Sequence, residues 1–135
     1  MKKLCYFLFA AALCVGFVGC SEDKDKDSGK SSKSLIVGTW ELYKDYDVNY
    51  DEYYYYDDPC YFQFKSNGTG YHYHEGESKG DWFEFEWNIE DSKLYIEEED
   101  GDWFSQRIKE LNNKEMILVY EEYDEQFLEY YRRIN

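Results

Sequence analysis

The sequence predicts an all-β domain of eight consecutive antiparallel strands over residues 35–135. From Leu35 onward, apolar and aromatic side chains alternate with polar ones, and helical spacing is hard to find. Turn signals at Asn67-Gly68 and Asp91-Ser92 separate the alternating runs. Strands joined by hairpins hide their edges either by closing into a barrel or by splitting into two sheets. Aromatic residues, 21% of the chain, supply the core of either arrangement.

The first strand contains Gly38, Trp40 and Leu42, which alternate with polar residues. It leads into residues 45–58, a stretch with six acids and six tyrosines. We expect the first strand to continue through Tyr46, Val48 and Tyr50 with the same inward face. The acids would then be its solvated face.

The first hairpin is predicted at Asn67-Gly68, because both residues tolerate the positive φ of a type I′ turn. A two-residue loop there pairs Phe64 with Tyr71 and Phe62 with Tyr73. The aromatic residues of both strands then share the inner face, and His72 and His74 share the outer one.

The second hairpin is predicted at Asp91-Ser92. This turn pairs Ile89 with Leu94 and Trp87 with Ile96, and Phe83 and Phe85 extend the same face. Three further strands are predicted around 103–111, 116–120 and 127–134, with a β-bulge near 112–115 because Ile108 and Leu111 have opposite parity.

Several short motifs resemble the lipocalin family in their order along the chain. Gly38-Thr39-Trp40 resembles the lipocalin G-x-W signature, and Arg132-Arg133 is similar to the arginine that packs over that tryptophan. Residues 64–70 (F-K-S-N-G-T-G) and 87–96 (W-N-I-E-D-S-K-L-Y-I) resemble bacterial lipocalin-like lipoproteins. The resemblance implies a lipocalin-like, eight-stranded antiparallel up-and-down β-barrel. It implies nothing about whether the interior is open.

A candidate ligand site is the inner face of this barrel, since eight strands are just wide enough to be filled by side chains or to hold one small molecule. The predicted small apolar or aromatic ligand would contact side chains of inward parity, with Trp40 and Trp87 as fluorescent reporters and Trp82 and Trp103 outside. An ordinary packed core is the alternative. The predicted ligand-binding residues are Trp40, Phe62, Phe64, Tyr71, Tyr73, Phe83, Phe85 and Trp87.

Metal and catalytic signals are weak. His72 and His74 could supply half of a zinc site, with Glu75 or Glu77 nearby, but the sequence fixes no third ligand. Asp45 begins a calcium-loop spacing that lacks the required glycine and bidentate glutamate. No nucleophile motif, phosphate loop or cofactor fingerprint is found, so we predict no metal, no cofactor and no enzymatic activity.

The N-terminus has the pattern of a lipoprotein signal peptide over residues 1–19. Lys2 and Lys3 precede an apolar run, and Phe17-Val18-Gly19-Cys20 resembles a bacterial lipobox, which implies a diacylated Cys20 as the lipid attachment site. Residues 20–34 would be the lipidated cysteine and a disordered tether, because Ser21–Ser34 contains no apolar side chain. The barrel domain would follow over 35–135.

Charge limits the partners of the mature chain. Loss of residues 1–19 removes two lysines and moves the formal charge from −15 to −17. The tether's charges cancel, so the excess lies on the domain and disfavours nucleic acid. Removal of Cys5 and Cys14 and lipidation of Cys20 would leave Cys60 without an intramolecular disulfide partner.

The resemblance to lipoproteins implies a location in the outer membrane, anchored through Cys20, and we expect a monomer. Ser21 is similar to export-compatible residues, and the acidic residues 21–27 resemble signals for exposure at the cell surface. The predicted function is binding of a small apolar ligand inside the barrel. The alternative is a filled barrel that recognises a protein or glycan through its tyrosine- and aspartate-rich loop, with Tyr53–Tyr56, and its acidic outer face.

Overall fold

A computed structural model describes residues 31–135 of the chain. The predicted signal peptide, Cys20 and residues 21–30 of the tether lie outside the described residues. Ser31–Asn135 is a compact unit by itself. Among the described residues, no helix has the length and apolar character needed to cross a membrane.

The described residues form the predicted eight-stranded, closed, antiparallel barrel, in which each strand pairs with the next and the last pairs with the first. All eight strands and the pairs that close the barrel lie within 31–135, so this segment contains what it needs to fold by itself. A short helix and a 3₁₀ turn (Lys79–Asp81) accompany the strands. The elements are α1 (Ser32–Ile36), β1 (Gly38–Asp47), β2 (Glu52–Phe64), β3 (Thr69–His74), β4 (Phe83–Glu90), β5 (Lys93–Glu97), β6 (Trp103–Leu111), β7 (Glu115–Glu122) and β8 (Glu125–Arg133).

The barrel has two different ends. We call the closed end the one that holds α1 and the turns at 65–68, 91–92 and 112–114. The opposite, open end holds the connections 48–51, 75–82, 98–102 and 123–124. Part of the predicted tether, residues 32–34, is therefore helix α1 at the closed end, where Ser31 caps the helix by accepting a hydrogen bond from the Ser34 amide.

The core is concentrated toward the closed end. Its fully enclosed side chains come from inward positions of the strands and from helix α1, and they interdigitate across the barrel. The largest of them are Trp40, Phe64, Phe85, Ile36, Leu94, Met116 and Leu118.

The first hairpin differs from the prediction by one residue. Lys65 N donates to Thr69 O, so the loop has three residues, with Gly68 at φ 89°. Asn67 accepts hydrogen bonds from Thr69 N and Oγ1, which fixes this longer turn. The predicted pairing was therefore wrong, and the face assignments of β3 reverse.

The reversal moves aromatic residues out of the barrel and a histidine into it. Phe62 pairs with His72, whereas Tyr71 pairs with Gln63 and Tyr73 pairs with Tyr61. Tyr71 and Tyr73 consequently lie on the outer face, against the prediction. Trp82 covers them there and stacks on the Tyr73 ring at 3.8 Å.

The second hairpin confirms the predicted register. Asp91 and Ser92 have φ values of 53° and 63°, and Trp87 pairs with Ile96. The expected irregularity of parity near the β6–β7 connection is also present, as a register shift between Ile108 and Glu110.

Strand β1 contains a second register shift, between Leu42 and Lys44, that the sequence did not predict. Beyond it the inward parity passes from the tyrosines to the acids. Asp45 pairs with Glu129, and Asp47 is 4% exposed and caps the following turn by accepting from the Asn49 and Tyr50 amides. The prediction of a solvated acidic face was wrong here, and the strand ends at Asp47.

Arg133 closes the barrel over Trp40, as the resemblance implied. The Arg133 guanidinium carbon lies 4.5 Å from the centre of the Trp40 ring, and Trp40 Nε1 donates to Ile36 O at 2.7 Å. Arg133 also donates to the Val37, Asn113 and Leu35 carbonyl oxygens. Only glycine fits at position 38, because a Cβ there would collide with Arg133 and because Gly38 has a φ of 140°.

Candidate functional site

A cavity of about 470 Å³ opens at the open end of the barrel. This volume falls within the range of pockets that bind small molecules. Its walls combine aromatic rings from the barrel interior with carboxylates from the β5–β6 connection. The lining residues are Phe62, His72, Phe83, Phe85, Ile96, Phe104 and Glu97–Asp100.

The apolar wall is assembled from cross-strand neighbours of the same inward parity. His72 pairs with both Phe62 and Phe83, so three adjacent strands contribute one ring each at the same level. Ile96 pairs with Phe104 on the next two strands. Such pairs are rigid because every backbone group between them is held by the sheet.

The floor of the cavity separates it from the closed end. Phe64 packs edge-on against Phe85 and Trp87, with ring centres 5.5 Å apart in each pair. Gly70 leaves room for Phe85, because a Cβ on Gly70 would approach the Phe85 ring at 2.7 Å. The interior at the closed end is thus filled by its own side chains, and the cavity occupies the interior at the open end.

The rim of the cavity is acidic. Four successive acids, Glu97 to Asp100, line the mouth, and Glu98 and Gly101 are held in a turn by the hydrogen bonds Glu98 N to Asp102 O and Gly101 N to Glu98 O. Four carboxylates beside a low-dielectric wall create a negative potential that repels anions and attracts cations.

Three metal-binding side chains meet where β2 and β3 pair near the open end. Cys60 pairs with His74, and the Cys60 Sγ lies 3.0 Å from His72 Nε2. The donor atoms of Cys60, His72 and His74 all lie within 4.8 Å of one another. His72 belongs to this cluster and to the cavity wall.

The protonation of this cluster argues against a thiolate nucleophile. Burial, helped by the charges of Glu129 and Glu77, raises the pKa of Cys60 to about 11. Burial and the neighbouring His74 lower the pKa of His72. At neutral pH the pair is therefore a neutral thiol beside a neutral imidazole, whereas a catalytic cysteine needs its thiolate form.

A second polar group, formed by Glu129 and Asp45, projects into the interior at the open end of the barrel. Glu129 Oε1 accepts hydrogen bonds from Gln106 Nε2 at 2.8 Å and from Tyr131 OH at 2.9 Å. Asp45, its cross-strand neighbour, accepts from Tyr56 OH, and the buried Asp45 Oδ1 has no hydrogen-bond partner within residues 31–135. Burial raises the pKa of both carboxyls.

The structure divides the predicted ligand-binding residues into three groups. Phe62, Phe83 and Phe85 line the cavity. Trp40, Phe64 and Trp87 are buried below it, at 0%, 2% and 6% exposure, so neither tryptophan borders the cavity as a reporter would.

Tyr71 and Tyr73 form the third group, on the outer face. Sequence reasoning missed His72, Phe104 and the acidic rim as lining residues. The alternation that placed Ile96 inside would also have placed Phe104 inside once the two were paired. His72 could not be found that way, because its face depends on the length of the first turn.

Outside the cavity, tyrosines of β2 form an exposed aromatic surface at the open end. Residues 53–56, which the sequence predicted as a loop, belong to strand β2. Tyr53 and Tyr55 lie on its outer face at 48% and 67% exposure, whereas Tyr54 pairs with the inward Asp45 and lies on the opposite face. The Lys44 ammonium lies 4.7 Å from the ring centres of Tyr53 and Tyr130. This surface is separate from the cavity, whose lining residues it does not share.

The architecture defines a class of protein: a small closed β-barrel with one filled end and one open end. Comparison with protein families matches the model of the lipocalin-like domain over residues 36–118. The chain therefore belongs to the lipocalin-like domain family. A search among curated proteins finds no match.

Among solved structures, the chain is similar to a lipocalin-like protein from Bacteroides uniformis. The two share 12% sequence identity with a TM-score of 0.56, over 73% of this chain and 98% of the other. At this identity the similarity concerns the fold alone.

Proposed function

We propose that this protein is an outer-membrane lipoprotein whose barrel binds one small hydrophobic or aromatic molecule without transforming it. The cavity of about 470 Å³ at the open end is the observation that carries the proposal. Aromatic and aliphatic side chains supply the apolar area for such a ligand, and the few polar groups at the mouth orient it. The neutral Cys60–His72 pair favours binding over catalysis.

The acidic rim narrows the class of ligand. Glu97 to Asp100 would lie beside any group that projects from the cavity mouth. A carboxylate or sulfate in that position would be repelled, whereas a neutral polar or cationic group would be accepted. We therefore expect neutral or cationic aromatic ligands to bind better than fatty acids of similar size.

Two fluorescent probes with the same aromatic skeleton test this proposal on residues 31–135. N-phenylnaphthylamine is neutral, and anilinonaphthalene sulfonate adds one negative charge. The neutral probe should bind saturably and raise the stability of the barrel, by about 2.7 kcal/mol at a hundredfold excess over Kd. The sulfonate should bind more weakly, and Glu98→Gln with Glu99→Gln should reduce the difference.

A matched pair of variants locates the binding. Phe104→Trp enlarges a side chain that lines the cavity and should weaken binding, whereas Tyr73→Phe on the outer face should leave binding unchanged. Absence of saturable binding and of stabilisation for both probes would refute the ligand-binding proposal.

The lipid anchor is a separate part of the proposal and has its own test. The motif Phe17-Val18-Gly19-Cys20 supports acylation of Cys20, and several acyl chains hold a protein at a membrane far more firmly than one. In bacteria, Cys20→Ser should abolish incorporation of labelled fatty acid and leave uncleaved precursor in place of the outer-membrane form. Unchanged labelling would contradict the anchor, whatever the barrel binds.

A second candidate function is recognition of a glycan or protein by the exposed tyrosines of β2. Their exposure, 67% at Tyr55, favours stacking on a sugar ring at low entropic cost. Replacing Tyr53 and Tyr55, which stack on the outer face, with Ser should abolish such recognition and leave binding of N-phenylnaphthylamine unaffected.

A further inference from the structure

We propose that Cys60, His72 and His74 form a zinc-binding site on the inner wall of the barrel, beside the cavity. The three donor atoms lie within 4.8 Å of one another, with 3.0 Å between Cys60 Sγ and His72 Nε2. Zinc bonds of 2.0–2.3 Å place the donors of a tetrahedral site about 3.3–3.7 Å apart. Small side-chain movements therefore suffice to bring all three onto one ion.

The sheet fixes the positions of these donors. Cys60 and His74 are direct cross-strand partners, and His72 lies two residues before His74 on the same inner face. The His72 ring stacks on Phe62, with 4.5 Å between ring centres and 8° between planes. The Glu77 carboxylate accepts a hydrogen bond from the His74 amide and so ties the end of β3 to the following turn.

The donor set selects the metal. One thiolate and two imidazoles suit Zn²⁺ or Cu⁺ better than the oxygen-seeking Mg²⁺ and Ca²⁺. Cys60 is also the only cysteine of residues 31–135, so within the barrel it has no disulfide to form. The formal charge of −17 on residues 35–135 raises the local concentration of divalent cations.

Three protein donors leave the fourth position of the tetrahedron to water or to an external ligand. Because His72 also lines the cavity, a molecule in the cavity can reach this region. The metal site nevertheless needs only its three protein donors. It does not depend on the proposed binding of an aromatic molecule.

The test is titration of metal-free residues 31–135 with Zn²⁺ and with Co²⁺, in the absence of any apolar probe. One equivalent of Zn²⁺ should bind and raise the melting temperature. Co²⁺ should give the near-ultraviolet charge-transfer band of a cobalt–thiolate bond. Cys60→Ser should remove that band and weaken Zn²⁺ binding by at least about tenfold.

Variants at the exposed end of the cluster separate a lost ligand from a lost fold. His74 is exposed, so His74→Gln should preserve the barrel, seen by circular dichroism, and still weaken Zn²⁺ binding at least about tenfold. Glu84→Gln removes an exposed carboxylate from the outer face of β4 and should not change Zn²⁺ affinity.

Two results would overturn the metal site. One is Co²⁺ binding without a thiolate band, and the other is Zn²⁺ affinity that is the same in the parent, Cys60→Ser and His74→Gln. Either would assign the metal to surface carboxylates. Phe104→Trp, which should weaken only the aromatic probe, keeps failure of the cavity proposal distinguishable from failure of the zinc site.

Discussion

The two ends of this barrel differ in the side chains that occupy the interior. At the closed end, large apolar side chains fill the interior around Trp40, and Arg133 covers them. At the open end, the interior holds an unfilled cavity, the carboxyls of Asp45, Asp47 and Glu129, and a thiol–imidazole cluster. Buried polar groups and unfilled volume both reduce stability. The closed end therefore stabilises the fold. The open end lowers the stability of the fold and leaves a site available for a ligand.

The largest effect should come from emptying the closed end. Trp40→Ala removes a fully buried indole and its hydrogen bond to Ile36, and should destabilise residues 31–135 by about 3–5 kcal/mol. Phe83→Ala at the open end should cost about half as much, since that ring already borders a cavity. Urea unfolding measures both. Equal losses would remove the distinction between the two ends.

Adding a methyl group to the packed interior of the barrel should have the next largest effect on stability. A methyl group on Gly70 would collide with the Gln63 carbonyl oxygen and meet the Phe85 ring at 2.7 Å, so Gly70→Ala should destabilise by about 1–3 kcal/mol. Gly80→Ala is the control, because Gly80 lies in the 3₁₀ turn at the open end with open space around it. Thermal unfolding should show a loss for the first variant only. A tolerated Gly70→Ala would mean that the floor of the cavity is loosely packed.

The contact between Arg133 on the last strand and Trp40 on the first strand should make a smaller contribution to the stability of the closed end. Arg133→Lys loses the planar contact with Trp40 and should cost about 0.5–2 kcal/mol. Arg132 pairs with Glu41 and lies 4.7 Å from the Tyr43 ring centre, but its side chain is 57% exposed, so Arg132→Lys should cost at most about 0.5 kcal/mol. Urea unfolding measures the stability lost in each variant. Comparable losses at the two arginines would contradict the assignment of the strand-closing contact to Arg133.

The smallest predicted effect is a gain of stability at the open end. Glu129→Gln keeps an acceptor for Gln106 and Tyr131 and removes a buried charge next to Asp45, so it should stabilise by roughly 1 kcal/mol at pH 7. Burial raises the pKa of Glu129 in the folded state. The protonated form therefore supports folding below the unfolded pKa of about 4.3, and this contribution is lost as pH rises through the folded pKa.

The advantage of Glu129→Gln should accordingly be present at pH 7 and fade toward pH 4. Denaturation of the parent and the variant at both pH values measures it. A variant that is less stable than the parent at pH 7 would show that the charged carboxylate is favourable inside the barrel.

The same comparison shows what the sequence could predict. The strand count, the closed end and the hairpin at Asp91-Ser92 follow from local alternation and from turn residues that both adopt positive φ. The open end depends on two irregularities, each of which shifts the register by an odd number of residues. The turn at 66–68 has one residue more than predicted, and β1 shifts register between Leu42 and Lys44.

Each irregularity exchanges the inner and outer faces of the residues beyond it. Together they bring His72 and Asp45 inside and move Tyr71 and Tyr73 outside. Alternation cannot reveal such shifts, because it reads the same on either face. The site was therefore less predictable than the fold.

Nuclear magnetic resonance of residues 31–135 with N-phenylnaphthylamine tests the central claim, that only one end of the barrel is available to a ligand. At saturation, amide shifts should concentrate at His72, Phe83, Phe104 and residues 96–100. Residues 36–40 and Arg133 should remain unperturbed. Shifts centred on the closed end or on residues 53–56, or no shifts at saturating probe, would contradict the account.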